Sequence, residues 1–121
     1  MATFSKIALS ASTNGKGIAI QSTGPTANNG TTVHTAGASS TIDEIWLYAV
    51  NYSAASISLT LQWGLITSTQ DVVTTIAAGS TGLGPILIVP GLILGNSLVL
   101  RAFASTTNSV SVFGYVNRIT A

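Results

Sequence analysis

From Ser56 to Trp63 apolar and polar residues alternate, with Ile57, Leu59, Leu61 and Trp63 facing one way and Ser56, Ser58, Thr60 and Gln62 the other. That is a half-buried antiparallel strand, wet on one side. Over Ile42–Asn51 the alternation is between two apolar sets, Ile45, Leu47, Ala49 and Trp46, Tyr48, Val50. The segment Val110–Ile119 is similar, with Val110, Val112, Val116 on one face and Phe113, Tyr115, Ile119 on the other. A strand apolar on both faces belongs in the middle of a sheet covered on both sides. One sandwich covers only one face of each sheet. The second face of these two strands is therefore expected to meet a loop, an N-terminal arm or, preferentially, another subunit.

No segment carries a 3.6-residue apolar stripe. Short β-branched and aromatic runs are divided instead by Gly, Asn, Ser and Pro, the pattern of an all-β protein. The pattern predicts an antiparallel β-sandwich of about eight strands: Thr3–Leu9, Gly17–Gln21, Thr31–Thr35, Ile42–Asn51, Ser56–Trp63, Val72–Ala77, Pro85–Val89 and Ser97–Ala104. A ninth, Val110–Ile119, closes it. Asn14-Gly15 and Asn29-Gly30 are hairpin signals, because both residue types tolerate positive φ. Pro90-Gly91 suits the centre of a type II turn, and Gly95-Asn96 turns the chain before the next strand. Asn51–Ala55 and Thr106–Ser109 read as hairpin loops.

A chain of 121 residues is expected to form one domain, 1–121. Its first 41 residues are thin in apolar content and read as edge strands or an extended N-terminal arm. The run Ile7-Ala8-Leu9 is too short for a signal-peptide core. Val72–Leu100 lacks charge, but Pro85, Pro90, Gly91 and Gly95 interrupt it, so it is expected to be strands and turns, not a membrane-spanning helix.

Charge narrows the function classes. Three acidic and four basic residues make 6% of the chain, against about 25% in ordinary soluble domains. A chain so poorly charged is expected to have much of its surface covered by partners. Lys6, Lys16, Arg101 and Arg118 form no cluster and the net charge is +1, which offers no field for nucleic acid or an anionic membrane. Cys is absent, excluding disulfides and thiolate metal sites.

The chemistry-bearing residues are few. Asp43 and Glu44 are adjacent, so on a strand they point to opposite faces and cannot act as a general acid/base pair; opening the strand as polar residues or pairing with Arg is the expected role. His34 is the sole histidine, expected as a solvated strand residue. No Gly-x-Ser-x-Gly elbow accompanies the many serines, and a nucleophile would need a base and an orienting group. Asn14-Gly15-Lys16-Gly17 lacks the remainder of a phosphate loop. Asn29-Gly30-Thr31 and Asn51-Tyr52-Ser53 match the glycosylation sequon, a weak pattern. These observations favour a protein that is not an enzyme, with no metal and no cofactor.

Several segments carry a likeness to known proteins. They are Asp43-Glu44-Ile45-Trp46-Leu47-Tyr48-Ala49-Val50-Asn51, Leu59-Thr60-Leu61-Gln62-Trp63-Gly64, Val89-Pro90-Gly91-Leu92, Arg101-Ala102-Phe103-Ala104-Ser105-Thr106 and Phe113-Gly114-Tyr115-Val116-Asn117-Arg118-Ile119. Together they resemble the small virion structural proteins of tailed bacteriophages, of the head decoration (cement) type, over roughly residues 42–119. The resemblance implies a β-sandwich, the jelly roll being one form, on the outer surface of an icosahedral head. It implies a homotrimer that clamps neighbouring major capsid subunits; the charge reading above adds neither nucleic acid nor membrane as partner. Trp46, Tyr48, Phe113 and Tyr115 are the candidate interface or core residues. The alternative is a receptor- or carbohydrate-binding module of a phage tail or fibre, in which Trp46, Trp63, Tyr48, Tyr52 and Tyr115 would stack on sugars.

Overall fold

The computed structural model describes residues 2–21, 23, 30–66, 70–78 and 84–121. They form a β-sandwich of two antiparallel sheets. The strands are β1 (Thr3–Ala8), β2 (Ile18–Ala19), β3 (Thr31–Thr35), β4 (Thr41–Asn51), β5 (Ile57–Gly64), β6 (Asp71–Ile76), β7 (Ile86–Gly95), β8 (Val99–Ala104) and β9 (Val110–Thr120). The first sheet has the order β1-β9-β4-β7, with β2 also on β9; the second has the order β3-β8-β5-β6. No helix among the described residues is long and apolar enough to cross a membrane.

The two strands apolar on both faces, β4 and β9, are the central pair of the first sheet and share an eleven-residue register from Thr41↔Thr120 to Asn51↔Val110. Their inner residues Ile45, Leu47, Ala49, Val112 and Val116 meet Ile57, Leu59 and Leu61 of β5 and Leu100 and Ala102 of β8, all buried. Each of the Val, Leu and Ile side chains contributes about 1.5–3 kcal/mol by leaving water. The sandwich is held from within by this layer.

Four expectations need correction. Asn14 and Gly15 do turn the chain, at φ 54° and 87°, but β1 and β2 do not pair with each other. Both lie along β9, end to end, because β9 offers a longer apolar edge than either short strand could. Asn51–Ala55 and Thr106–Ser109 are not hairpin loops; they carry the chain from one sheet to the other. Turn residues set a reversal and leave open which sheet receives the next strand. The strand expected to stop at Val89 continues through Pro90-Gly91 to Gly95. It is an edge strand, where a missing N–H is tolerated, and Gly91 takes φ 87° at a register shift, as a bulge requires. The polar face of β5 is not wet throughout: Gln62 is fully buried and its Oε1 accepts the Gly30 N–H at 2.9 Å. Asn29 of the Asn29-Gly30 signal and sequon lies outside the described residues.

Asn51 closes one end of the sandwich. Its Nδ2 donates to the Ala55 and Ile76 carbonyls at 2.8 and 3.0 Å, and its Oδ1 accepts from Ser53. The amide nitrogen of this sequon is thus committed inside the fold.

Candidate functional site

Two groups of side chains stand out, one between the sheets and one on the outer face of the β1-β9-β4-β7 sheet. The inner group begins with Asp43, which strand alternation on β4 turns inward among apolar neighbours. There it meets His34 of β3 and Arg118 of β9. His34 Nε2 lies 2.6 Å from Asp43 Oδ2, with both side chains wholly buried. Arg118 donates from Nε to Oδ1 and from Nη2 to Oδ2, each at 2.8 Å. The Gly37 N–H adds a longer bond of 3.3 Å to Oδ2.

His34 Nδ1 accepts the backbone N–H of Ser10 at 3.0 Å. A nitrogen that accepts is unprotonated, so Nε2 carries the hydrogen and donates it to Asp43. The Asp43 charge is matched by Arg118. Burial pushes the Asp43 carboxyl up, but the bonds from Arg118 and His34 and the guanidinium charge outweigh it and hold the group below its ordinary range.

The expectation for His34 is therefore overturned: it is a core residue. Strand β3 shifts register beside it, between Thr32 and His34, and Val33 and His34 are both buried. Ser, His and Asp converge here without forming a nucleophilic triad. Ser10 presents its N–H to the imidazole, while its hydroxyl accepts from the Thr35 N–H at 2.7 Å. The cluster's chemistry is that of a clamp, tying β3 of one sheet to β4 and β9 of the other.

The outer group contains all four candidate residues named from the sequence. Trp46 and Tyr115 are directly opposite in the β4–β9 register, and so are Tyr48 and Phe113. All four point away from the core, half-buried except for the more exposed Phe113. The Trp46 and Tyr115 rings stack at 6.1 Å with planes 8° apart. Lys6 reaches from β1 to place its ammonium 4.6 Å from the Tyr115 ring centroid, a cation–π contact. Phe113 lies against Gly17, where any side chain would strike its ring.

Glu44 completes the group. Its Oε1 accepts from Trp46 Nε1 at 2.7 Å and from Asn117 Nδ2 at 3.0 Å. These two bonds hold its carboxyl below the ordinary range. Lys6, Glu44 and Asn117 were not singled out together from the sequence; the usable signal is their position on alternate residues of strands that prove to be neighbours.

The face has two ends of different character. Near the start of β9, Tyr48, Val50, Pro85 and Phe113 surround an open depression of about 440 Å³. Near its finish a second depression, of about 420 Å³, is bordered by Phe4, Lys6, Glu44, Asn117 and Ile119, with Ser5 and Arg118 between them. Trp63 belongs elsewhere: its Nε1 donates to the Ile93 carbonyl at 3.1 Å, anchoring the end of β5 to β7. Tyr52 is exposed on the corner that follows β4. Comparison with protein-family models, with curated proteins and with solved structures gives no match for this chain.

Proposed function

We propose that this chain is a non-enzymatic structural subunit of a virus particle, a decoration or cement protein on the outer surface of a tailed-phage head. It binds major capsid subunits through the outer face of the β1-β9-β4-β7 sheet. The observation that carries the reading is the end of that face where Tyr48, Val50, Pro85 and Phe113 line an uncharged depression on the two central strands. Ile86 and Leu87 of the neighbouring edge strand are exposed beside it. In a chain with 6% charged residues, such a surface is suited to burial against protein.

The strand order supports the same reading. With β1 and β2 taken as one interrupted strand, β1-β9-β4-β7 and β3-β8-β5-β6 are the orders of an eight-stranded jelly roll. That architecture serves capsid and lectin domains. The partner comes from the resemblance of residues 42–119 to decoration proteins. Docking on several capsid subunits at once, as a homotrimer would, multiplies modest contacts into firm attachment.

The test is the copy number of the chain in purified particles, by quantitative mass spectrometry against the major capsid protein. Hundreds of copies in simple ratio are expected. Absence from particles overturns the proposal, and a few copies per particle transfers the chain to a tail or fibre. Tyr48→Ala separates surface from core: a folded variant that no longer binds heads is expected. A folded variant that binds heads as wild type does would remove Tyr48 from the interface. The alternative reading, a sugar-binding module, gains little from Trp46 and Tyr115. Those rings are engaged with each other, and Lys6 covers Tyr115.

A further inference from the structure

We infer that the depression bordered by Phe4, Lys6, Glu44, Asn117 and Ile119 is a carbohydrate site that takes a neutral sugar. The inference stands apart from capsid docking, which uses the opposite end of the face. Tyr48 and Glu44 are four residues apart on β4, about 13 Å at roughly 3.3 Å per residue.

Register brings the parts together. Lys6 pairs with Asn117, Asn117 with Glu44, and Phe4 with Ile119, so all five side chains rise from one face across three strands. The depression they border, about 420 Å³, is of the size that holds small molecules. Glu44 is the fixed element. Its Oε1 takes both the indole and the Asn117 amide hydrogen, which orients the carboxylate and leaves Oε2 to accept from a ligand. Asn117, with Nδ2 committed, offers its carbonyl oxygen as a second acceptor. Lys6, held over Tyr115, supplies donors beside them.

The ligand class follows from this mixture. A hydroxyl both donates and accepts, so vicinal hydroxyls can meet Glu44 Oε2 and the Lys6 ammonium together. A phosphate or sulfate would face the Glu44 carboxylate, and an organic cation would face Lys6. Arg118 also borders the depression, but its guanidinium is bonded through Nε and Nη2 to Asp43. Phe4 is 73% exposed, so its ring has a free face. The electron-rich face of an aromatic ring attracts the partially positive C–H groups of a sugar. Trp46 and Tyr115 lack that free face and serve here as buttresses.

The experiment is retention of the intact, fluorescently labelled chain on an array of glucose-, galactose-, mannose- and N-acetylglucosamine-terminated neutral oligosaccharides, beside sialylated and sulfated ones. Retention on at least one neutral glycan is expected. Phe4→Ala and Glu44→Gln should each weaken it tenfold or more, and Val73→Ser on the far sheet should leave it unchanged. Circular dichroism checks that each variant is folded; if Phe4→Ala detaches β1, Glu44→Gln still decides. No retention overturns the inference, as does retention that both variants keep, or retention confined to anionic glycans. Particle copy number is unaffected by any of these outcomes, so the two proposals fail separately.

Discussion

His34 Nε2 sits 2.6 Å from Asp43 Oδ2 with neither side chain reaching solvent, and Arg118 closes the same carboxylate from the other side. Removing one member of a buried charged group leaves the others unmatched, which is costlier than the intact group is stabilising. Asp43→Asn keeps the shape but strips the charge that Arg118 faces. A loss of about 3–5 kcal/mol in urea unfolding is expected. A loss below about 1 kcal/mol would mean that water or a shifted Arg118 replaces the carboxylate readily.

The same carboxylate sets an acid limit. Asp43 is held below its ordinary value of 3.8 in the folded protein. A depressed carboxyl contributes stability that is fully present above its unfolded value, near pH 4, and is lost as pH falls through the folded value. Thermal melting between about pH 2 and 6 should therefore show a decline confined to the region below about pH 4. Asp43→Asn should melt lower and show a shallower limb, what remains coming from Glu44, whose carboxyl is also held low. A wild-type decline beginning well above pH 5 would assign the sensitivity to another group.

Sheet membership and burial were legible in the sequence to different degrees. The two-sided apolar pattern of Ile42–Asn51 and Val110–Ile119 places β4 and β9 at the centre of a sheet, and there they are. The pattern does not say which face of one strand joins which face of the other; the register does, and it sets Trp46, Tyr48, Phe113 and Tyr115 together on one side. What alternation cannot give is the strand that comes alongside. His34 is nine residues from Asp43 and Arg118 is seventy-five, and only the crossing of chain between sheets makes them neighbours. A lone histidine between Val33 and Thr35 on a short strand has no local mark of burial. The grouping of Glu44, Lys6 and Asn117 escaped for the same reason, since nothing brings them together until the register is known.

Gly114 is the tightest point between the two central strands. A Cβ built there would overlap the Trp46 carbonyl oxygen and press on the Leu47 backbone. Backbone cannot swing aside as a side-chain tip can, so Gly114→Ala should force β4 and β9 apart. A destabilisation of about 1–3 kcal/mol or more is expected, measured as a lowered urea midpoint. The Trp46–Tyr115 stack lies beside this point, so near-ultraviolet circular dichroism should change with it. An unaltered midpoint would show that the sheet bends locally at no cost.

Strand β7 is an exposed edge of the β1-β9-β4-β7 sheet. Ile86, Leu87, Leu92 and Ile93 are all exposed along it, Ile93 by 63%, and none of its ten residues is charged. An apolar edge of this length invites pairing with other chains. Its defences are Pro90 and the register shifts on either side of Trp46–Leu47, which bend the edge without charging it. Ile93→Lys adds the missing charge at a side chain that supports nothing in the core, while the carbonyl bonded by Trp63 is untouched. Its stability should stay within about 0.5 kcal/mol of wild type. Sedimentation velocity over rising concentration should show association of the wild-type chain suppressed in the variant. Equal association in both would locate self-contact on the aromatic face instead, and a wild type monomeric throughout would show that bulges and one proline are enough to protect an uncharged edge.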